Sequence, residues 1–242
     1  MKSRHVPKID ARYWTGITLA SIFGTNLGDF YAHESGLGTF SGVLILVGIF
    51  FVIFFAERFD TLMHDTYYWL CIIIVRTGAT NIADYLVYGR QMSAIRLSGG
   101  LAVLMALFAW AAIKPVKPRA DRAKDVPDTN GYYWAAMLSA GIFGTILGDV
   151  CTHVFGGVVA SIGLGMLLAV TLFFGRGGKS NMFAVYWFTI ALARTAGTAI
   201  GDWLAENEIM ALGLSLSTLL TGLAFAGVLL VWRSRSSAQA PP

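Results

Sequence analysis

Charge is what this chain has least of: Asp, Glu, Lys and Arg make up 13% of its 242 residues, about half the share in soluble domains. The shortage excludes a large solvated surface and leaves long apolar runs. Runs of roughly 18 or more apolar residues are candidate membrane spans. Eight such runs are expected, near 13–33, 38–56, 67–87, 96–113, 132–153, 157–175, 183–204 and 210–232. So little chain is left outside them that a soluble catalytic domain is excluded, and no enzyme activity is expected. Cysteine is nearly absent as well. Cys71 and Cys151 both fall within spans, which excludes a disulfide framework and leaves packing as their expected role. No glycine-rich phosphate loop is present, so direct coupling to ATP is not expected.

The basic residues that do occur lie on one side. With the N-terminus taken as cytoplasmic, all the Lys and Arg fall in inward segments except Arg90 and Arg96 in outward loops and Arg76 and Arg194 within spans. Lys and Arg concentrate on the cytoplasmic side of membrane proteins, so both termini are expected in the cytoplasm. The pI near 9.1 therefore reports topology and gives no argument for nucleic acid. The basic start followed by an apolar run imitates a secretory signal, but it lacks a small-residue cleavage site and is read as a retained first helix.

Four copies of one pattern organise the chain. Tyr13-Trp14, Tyr68-Trp69, Tyr133-Trp134 and Tyr186-Trp187 open the odd-numbered runs. Each is followed by a small-Thr-x-x-small-Asp motif: Gly24 to Asp29, Ala79 to Asp84, Gly144 to Asp149 and Gly197 to Asp202. In every copy the Asp is 15 residues after the Trp. Tyr and Trp favour membrane interfaces, so the pairs are expected to anchor the cytoplasmic helix ends. At about 1.5 Å per residue each Asp then lies roughly 22 Å across a core about 30 Å thick. Small residues four apart allow close helix approach in a bilayer, so the odd helices should pack centrally with the even ones facing lipid.

The expected fold is an all-α polytopic membrane protein with eight transmembrane helices, made of four two-helix repeats in two parallel halves. Residues 1–113 form the first half, 114–130 a cytoplasmic linker containing Pro115, Pro118 and Pro127, 131–235 the second half, and 236–242 a cytoplasmic tail. The repeats alternate in kind. Four residues before the motif Thr stand Ser21, Arg76, Gly141 and Arg194, and four after the Asp stand His33, Tyr88, His153 and Glu206.

Steps of four keep residues on one helix face. Thr25, Thr80, Thr145 and Thr198, the four Asp residues, Arg76 and Arg194 thus form polar stripes that must face one another, because an ionised group near the bilayer centre costs about 2.5–3.5 kcal/mol. Ser21 and Gly141 are expected to be small so as to admit the two arginines. A purely structural reading has the arginines neutralise Asp residues. Two Arg against four Asp leaves surplus acid, which favours a cation or proton as guest. Asp29 with His33 and Asp149 with His153 offer a mixed oxygen and nitrogen set suited to zinc or manganese; two helix-end histidines touching water are the plainer reading.

The four Tyr-Trp … Gly-Thr-x-x-Gly-Asp copies resemble a bacterial integral-membrane family defined by a tandem repeat of unknown function. The resemblance covers nearly the whole chain and implies this architecture in a bacterial inner membrane, without a substrate. Repeat two departs from it at Ala79 and Ala83, where looser packing is expected. The function expected from the residues is a small transporter of a cation, a divalent metal or a proton-coupled ion, with its site between the halves. Its partners would be the bilayer and that ion. One alternative is a haem-binding or redox protein using His33 and His153 as axial ligands; another is an accessory or sensory subunit whose polar core is glue.

Overall fold

The computed structural model describes residues 6–34, 39–60, 65–112, 129–175, 182–207 and 212–238. Most of the expected linker 114–130 and the end of the expected tail 236–242 lie outside them. The described residues form helices α1 (Ala11–Glu34), α2 (Thr39–Phe59), α3 (Asp65–Asp84), α4 (Ala94–Ala112), α5 (Gly131–Phe155), α6 (Gly157–Gly175), α7 (Met182–Glu206) and α8 (Gly213–Ala238). A π-helical turn, Tyr85–Gly89, prolongs α3. The last helix runs to Ala238, three residues into the expected tail. Seven helices, α2 to α8, are long and apolar enough to cross a membrane. Helix α1 carries Ser21, Thr25, Asn26 and Gly28 on its inner face, and all four are buried.

The odd helices make a closed inner ring in which α1 packs on α3 and α7, and α5 packs on α3 and α7. Each even helix leans on the inner helix of the next repeat: α2 on α3, α4 on α5, α6 on α7, and α8 back onto α1. Burial separates the two sets. Within their apolar windows 72% of α7 is buried inside the protein but only 11% of α4. Val52, Val103, Phe173 and Leu230 on the even helices are exposed, as side chains that meet lipid would be.

Chain entry into the inner helices is set locally. Asp10 accepts hydrogen bonds from the backbone N–H of Arg12 and Tyr13 at 2.9 and 3.2 Å. Asn130 caps α5 through the N–H of Tyr133 at 2.9 Å. A side-chain cap three residues before each of these tyrosines satisfies the unpaired first turn and fixes which way the tyrosine faces.

Candidate functional site

Stacked layers run down the centre of the inner ring, about 6 Å apart because each is four residues from the next. The first is a ring of hydroxyls. Tyr13 bonds Tyr68 at 2.9 Å, Tyr68 bonds Tyr133 at 2.7 Å, Tyr133 bonds Tyr186 at 2.9 Å, and Tyr186 returns to Tyr13 at 2.7 Å. A closed cycle lets every hydroxyl donate once and accept once, so four polar groups are buried with none left over. Each tryptophan lies against the tyrosine of the preceding repeat: Trp69 on Tyr13, Trp134 on Tyr68, Trp187 on Tyr133 and Trp14 on Tyr186, at 5.7–6.0 Å between ring centroids. The Tyr-Trp pairs therefore face the inside of the bundle and one another. All of these rings are buried except half-buried Trp14, because the hydroxyl cycle and the ring contacts draw them onto the axis.

The second layer is apolar. Ile17, Ile72, Met137 and Ile190 follow the tyrosines by four residues, and each is 0% exposed. The third holds Ser21, Arg76, Gly141 and Arg194, and the fourth the motif threonines.

Arg76 joins these last two layers. Its Nη1 donates to Thr145 Oγ1 at 2.6 Å, to Thr80 Oγ1 at 3.2 Å and to the Gly141 carbonyl at 3.4 Å. Its Nη2 donates to Thr25 Oγ1 at 2.5 Å and Thr198 Oγ1 at 2.6 Å. One guanidinium thus binds the threonine of every repeat. Arg194, equally buried, donates from Nη1 to Ser21 Oγ at 3.2 Å, while its Nε and Nη2 have no partner.

Small residues make this arrangement possible by an offset match between neighbouring helices. A Cβ on Gly24 would lie 2.5 Å from Arg76 Cγ, and one on Gly144 would strike Arg194 Cβ. One on Gly197 would strike Ser21 Cβ, and one on Gly141 would lie 2.6 Å from Ala79 Cβ. The first small residue of each motif therefore takes the third-layer side chain of the next repeat. Ala79 does not loosen repeat two, because the partner of its extra methyl is Gly141. The arginine stems are admitted by Gly24 and Gly144, not by Ser21 and Gly141 as the stripes suggested. Gly28 and Gly148 repeat the device one turn on, against Thr80 and Thr198.

The fifth layer is Asp29, Asp84, Asp149 and Asp202, all half-buried. Each of the four senses the charge of Arg76, and Asp29, Asp149 and Asp202 each sense at least one other of the four carboxylates. None makes a salt bridge with Arg76 or Arg194 among the described residues, where the recorded ion pair is Arg58 with Glu57 at 3.4 Å. The arginines are held by hydroxyls, and the carboxylates remain uncommitted.

Beyond the aspartates, His33, His153 and Glu206 are exposed, and Tyr88 sits in the π turn, 68% exposed. His33 lies within electrostatic reach of Asp84, on the neighbouring helix. Helices α1 and α5 face each other across the ring, and α5 packs on α3 and α7 instead. Among the described residues no three of His, Cys, Asp and Glu form a group able to hold a metal ion. Asp29, His33, Asp149 and His153 are thus not gathered into one coordination set. An apolar groove of about 320 Å³ between α2, α3 and α5, lined by Phe50, Phe54, Val75 and Leu138 among others, opens away from this axis and carries none of its chemistry.

Sequence reasoning singled out the third, fourth and fifth layers and missed the first two. The signal was present, since Tyr13, Ile17, Ser21, Thr25 and Asp29 continue one period of four. The interfacial habit of tyrosine obscured it.

Apolar spanning helices around a repeated polar axis define a helical membrane protein with internal repeats. A family model described as Repeat of Unknown Function (DUF347) matches residues 12–59 and 185–237, which are α1 with α2 and α7 with α8. The outer two of the four sequence copies are thus similar to that repeat. No curated protein and no solved structure matches the chain.

Proposed function

We propose that the protein is a small transporter of a cation in a bacterial inner membrane, with eight spans in two parallel four-helix halves and both termini cytoplasmic. Helix α1 is the eighth span in this reading, because its Tyr, Thr and Asp share layers with those of α3, α5 and α7. The single observation that carries the transport reading is the state of the four aspartates. They converge half-buried at one end of the axis with no ion pair to the two buried arginines. Uncommitted carboxylates in a membrane are costly and favour a positive guest. The other end is sealed by the tyrosine ring and the apolar layer, as alternating access requires of one side at a time. Arg76 lies on the axis where a cation entering past the aspartates would arrive. Such a cation must displace it or stop at it.

The readings in which His33 and His153 hold a divalent metal or a haem draw no support from the packing, since both are exposed and their helices are not neighbours. Electrical recording from protein reconstituted on a solid-supported membrane tests the proposal. Cation gradients should drive charge movement that is lost when Asp29, Asp84, Asp149 and Asp202 are all replaced by Asn. Silence toward protons, alkali ions, divalent metals and organic cations alike would overturn it and favour an accessory role.

A further inference from the structure

We propose that the four threonine hydroxyls form a binding site for a free guanidinium-type cation, and that Arg76 is its tethered stand-in; this rests on the cation reading above and names the substrate class. The cage offers one hydroxyl acceptor for each terminal N–H, with the Gly141 carbonyl as a longer fifth contact at 3.4 Å. Nη1 and Nη2 of a guanidinium carry four N–H groups, and the threonine of each of the four repeats accepts one.

Three of the four hydroxyl protons are turned away from the axis, that of Thr80 toward the Arg76 carbonyl at 3.5 Å. Thr25 Oγ1 donates to the Ser21 carbonyl at 2.9 Å and Thr198 Oγ1 to the Arg194 carbonyl at 3.2 Å. Their lone pairs are therefore left for a donor on the axis, and a cage in which at least three of four hydroxyls are turned to accept favours a ligand rich in N–H groups.

The present occupant is held by neutral acceptors alone. Arg76 touches no carboxylate, its Nε has no partner, and the charge of buried Arg194 repels it. A staple that served stability alone would pair with an aspartate one turn away. A free cation held first by the aspartates can enter the cage as the Arg76 head withdraws. The like charges keep both from occupying it together.

Thermal unfolding of the purified full chain, titrated with methylguanidinium chloride at millimolar concentrations, reads the site. Wild type should be stabilised saturably. Thr145→Val and Thr25→Val should each weaken binding about tenfold, the effect of one hydrogen bond to a charged group. Arg76→Ala should bind free methylguanidinium at least about tenfold more tightly than wild type, because a tethered competitor acts at millimolar or higher effective concentration. Equal affinity in wild type and Arg76→Ala overturns the proposal, as does stabilisation undiminished by the threonine changes. If either threonine variant fails to fold, the Arg76→Ala comparison decides alone. If Arg76→Ala itself yields no folded protein with or without methylguanidinium, saturable stabilisation of wild type lost in the threonine variants decides. Stabilisation of wild type by manganese or potassium but not by methylguanidinium overturns the guanidinium site and leaves the cation reading standing. Failure of the electrical recording, with methylguanidinium still bound, removes transport and leaves the site.

Discussion

Two positions show different costs in this core, one of crowding and one of buried charge. Ala79 and Gly141 share one space, their Cβ positions separated by 2.6 Å if Gly141 gains a methyl. Overpacking a tight contact costs about 1–3 kcal/mol, so Gly141→Ala should lower stability by that amount. Ala79→Gly returns the space, and the double variant should recover most of the loss. Unfolding of all four proteins, read as a double-mutant cycle, checks this. Additive effects, with coupling below about 0.5 kcal/mol, would show that the methyls do not compete. Arg194 is the reverse case. Its guanidinium is fully buried with a single bond to Ser21 and two nitrogens unpartnered. Replacing buried charge by an apolar side chain of similar reach is often stabilising by about 1–4 kcal/mol. Arg194→Met should therefore raise the unfolding temperature while impairing transport, since residues that cost stability persist where activity needs them. A lower unfolding temperature would mean that the bond to Ser21 outweighs the burial cost.

At the scale of elements, ring closure depends on α8, the last helix, returning to α1, the first. Asn26 Nδ2 donates to Ser217 Oγ at 2.6 Å, Thr218 Oγ1 donates to the Asn26 carbonyl at 3.1 Å, and Ser215 Oγ reaches Glu34 at 3.2 Å. Ser217→Ala leaves the buried Asn26 amide without its acceptor, which should cost about 1–3 kcal/mol. Ser215→Ala, at the exposed end, should cost less than about 0.5 kcal/mol. Equal unfolding temperatures for the two variants would show that the Asn26 contact does not hold α8. These contacts also explain what the sequence concealed. The spans of α2 to α8 were legible from apolar length, and the inward stripes from a period of four ending at Asp29, Asp84, Asp149 and Asp202. The tyrosine ring was not legible, because Tyr beside Trp at a helix start has the same composition whether it faces lipid or axis. The partner of each small residue was not legible either. Gly24 against Arg76 is a relation between two repeats, and spacing within one repeat carries no information about it.

For the whole molecule, the layers make the axis polar and open at the aspartate end and dry at the tyrosine end. Hydroxyls bonded in a cycle, backed by Ile17, Ile72, Met137 and Ile190, leave a passing ion no free donor and at most one lone pair on each oxygen before an apolar layer, so an ion entering there loses its hydration with little compensation. Access to the two ends should therefore differ sharply. In a background with Cys71→Ser and Cys151→Ser, Asp149→Cys should react with a membrane-impermeant maleimide added on the side opposite the start of α1. Ile17→Cys should react from neither side. Adding Tyr133→Phe to the Ile17→Cys protein breaks two of the four hydroxyl bonds, those to Tyr68 and Tyr186. Labelling should then appear from the side on which α1 begins, if the ring holds that end shut. Labelling of Ile17→Cys as fast as Asp149→Cys in the unbroken ring would mean that water already fills the apolar layer. The sealed end would then have to lie elsewhere along the axis, with Arg76 in its threonine cage as the next barrier.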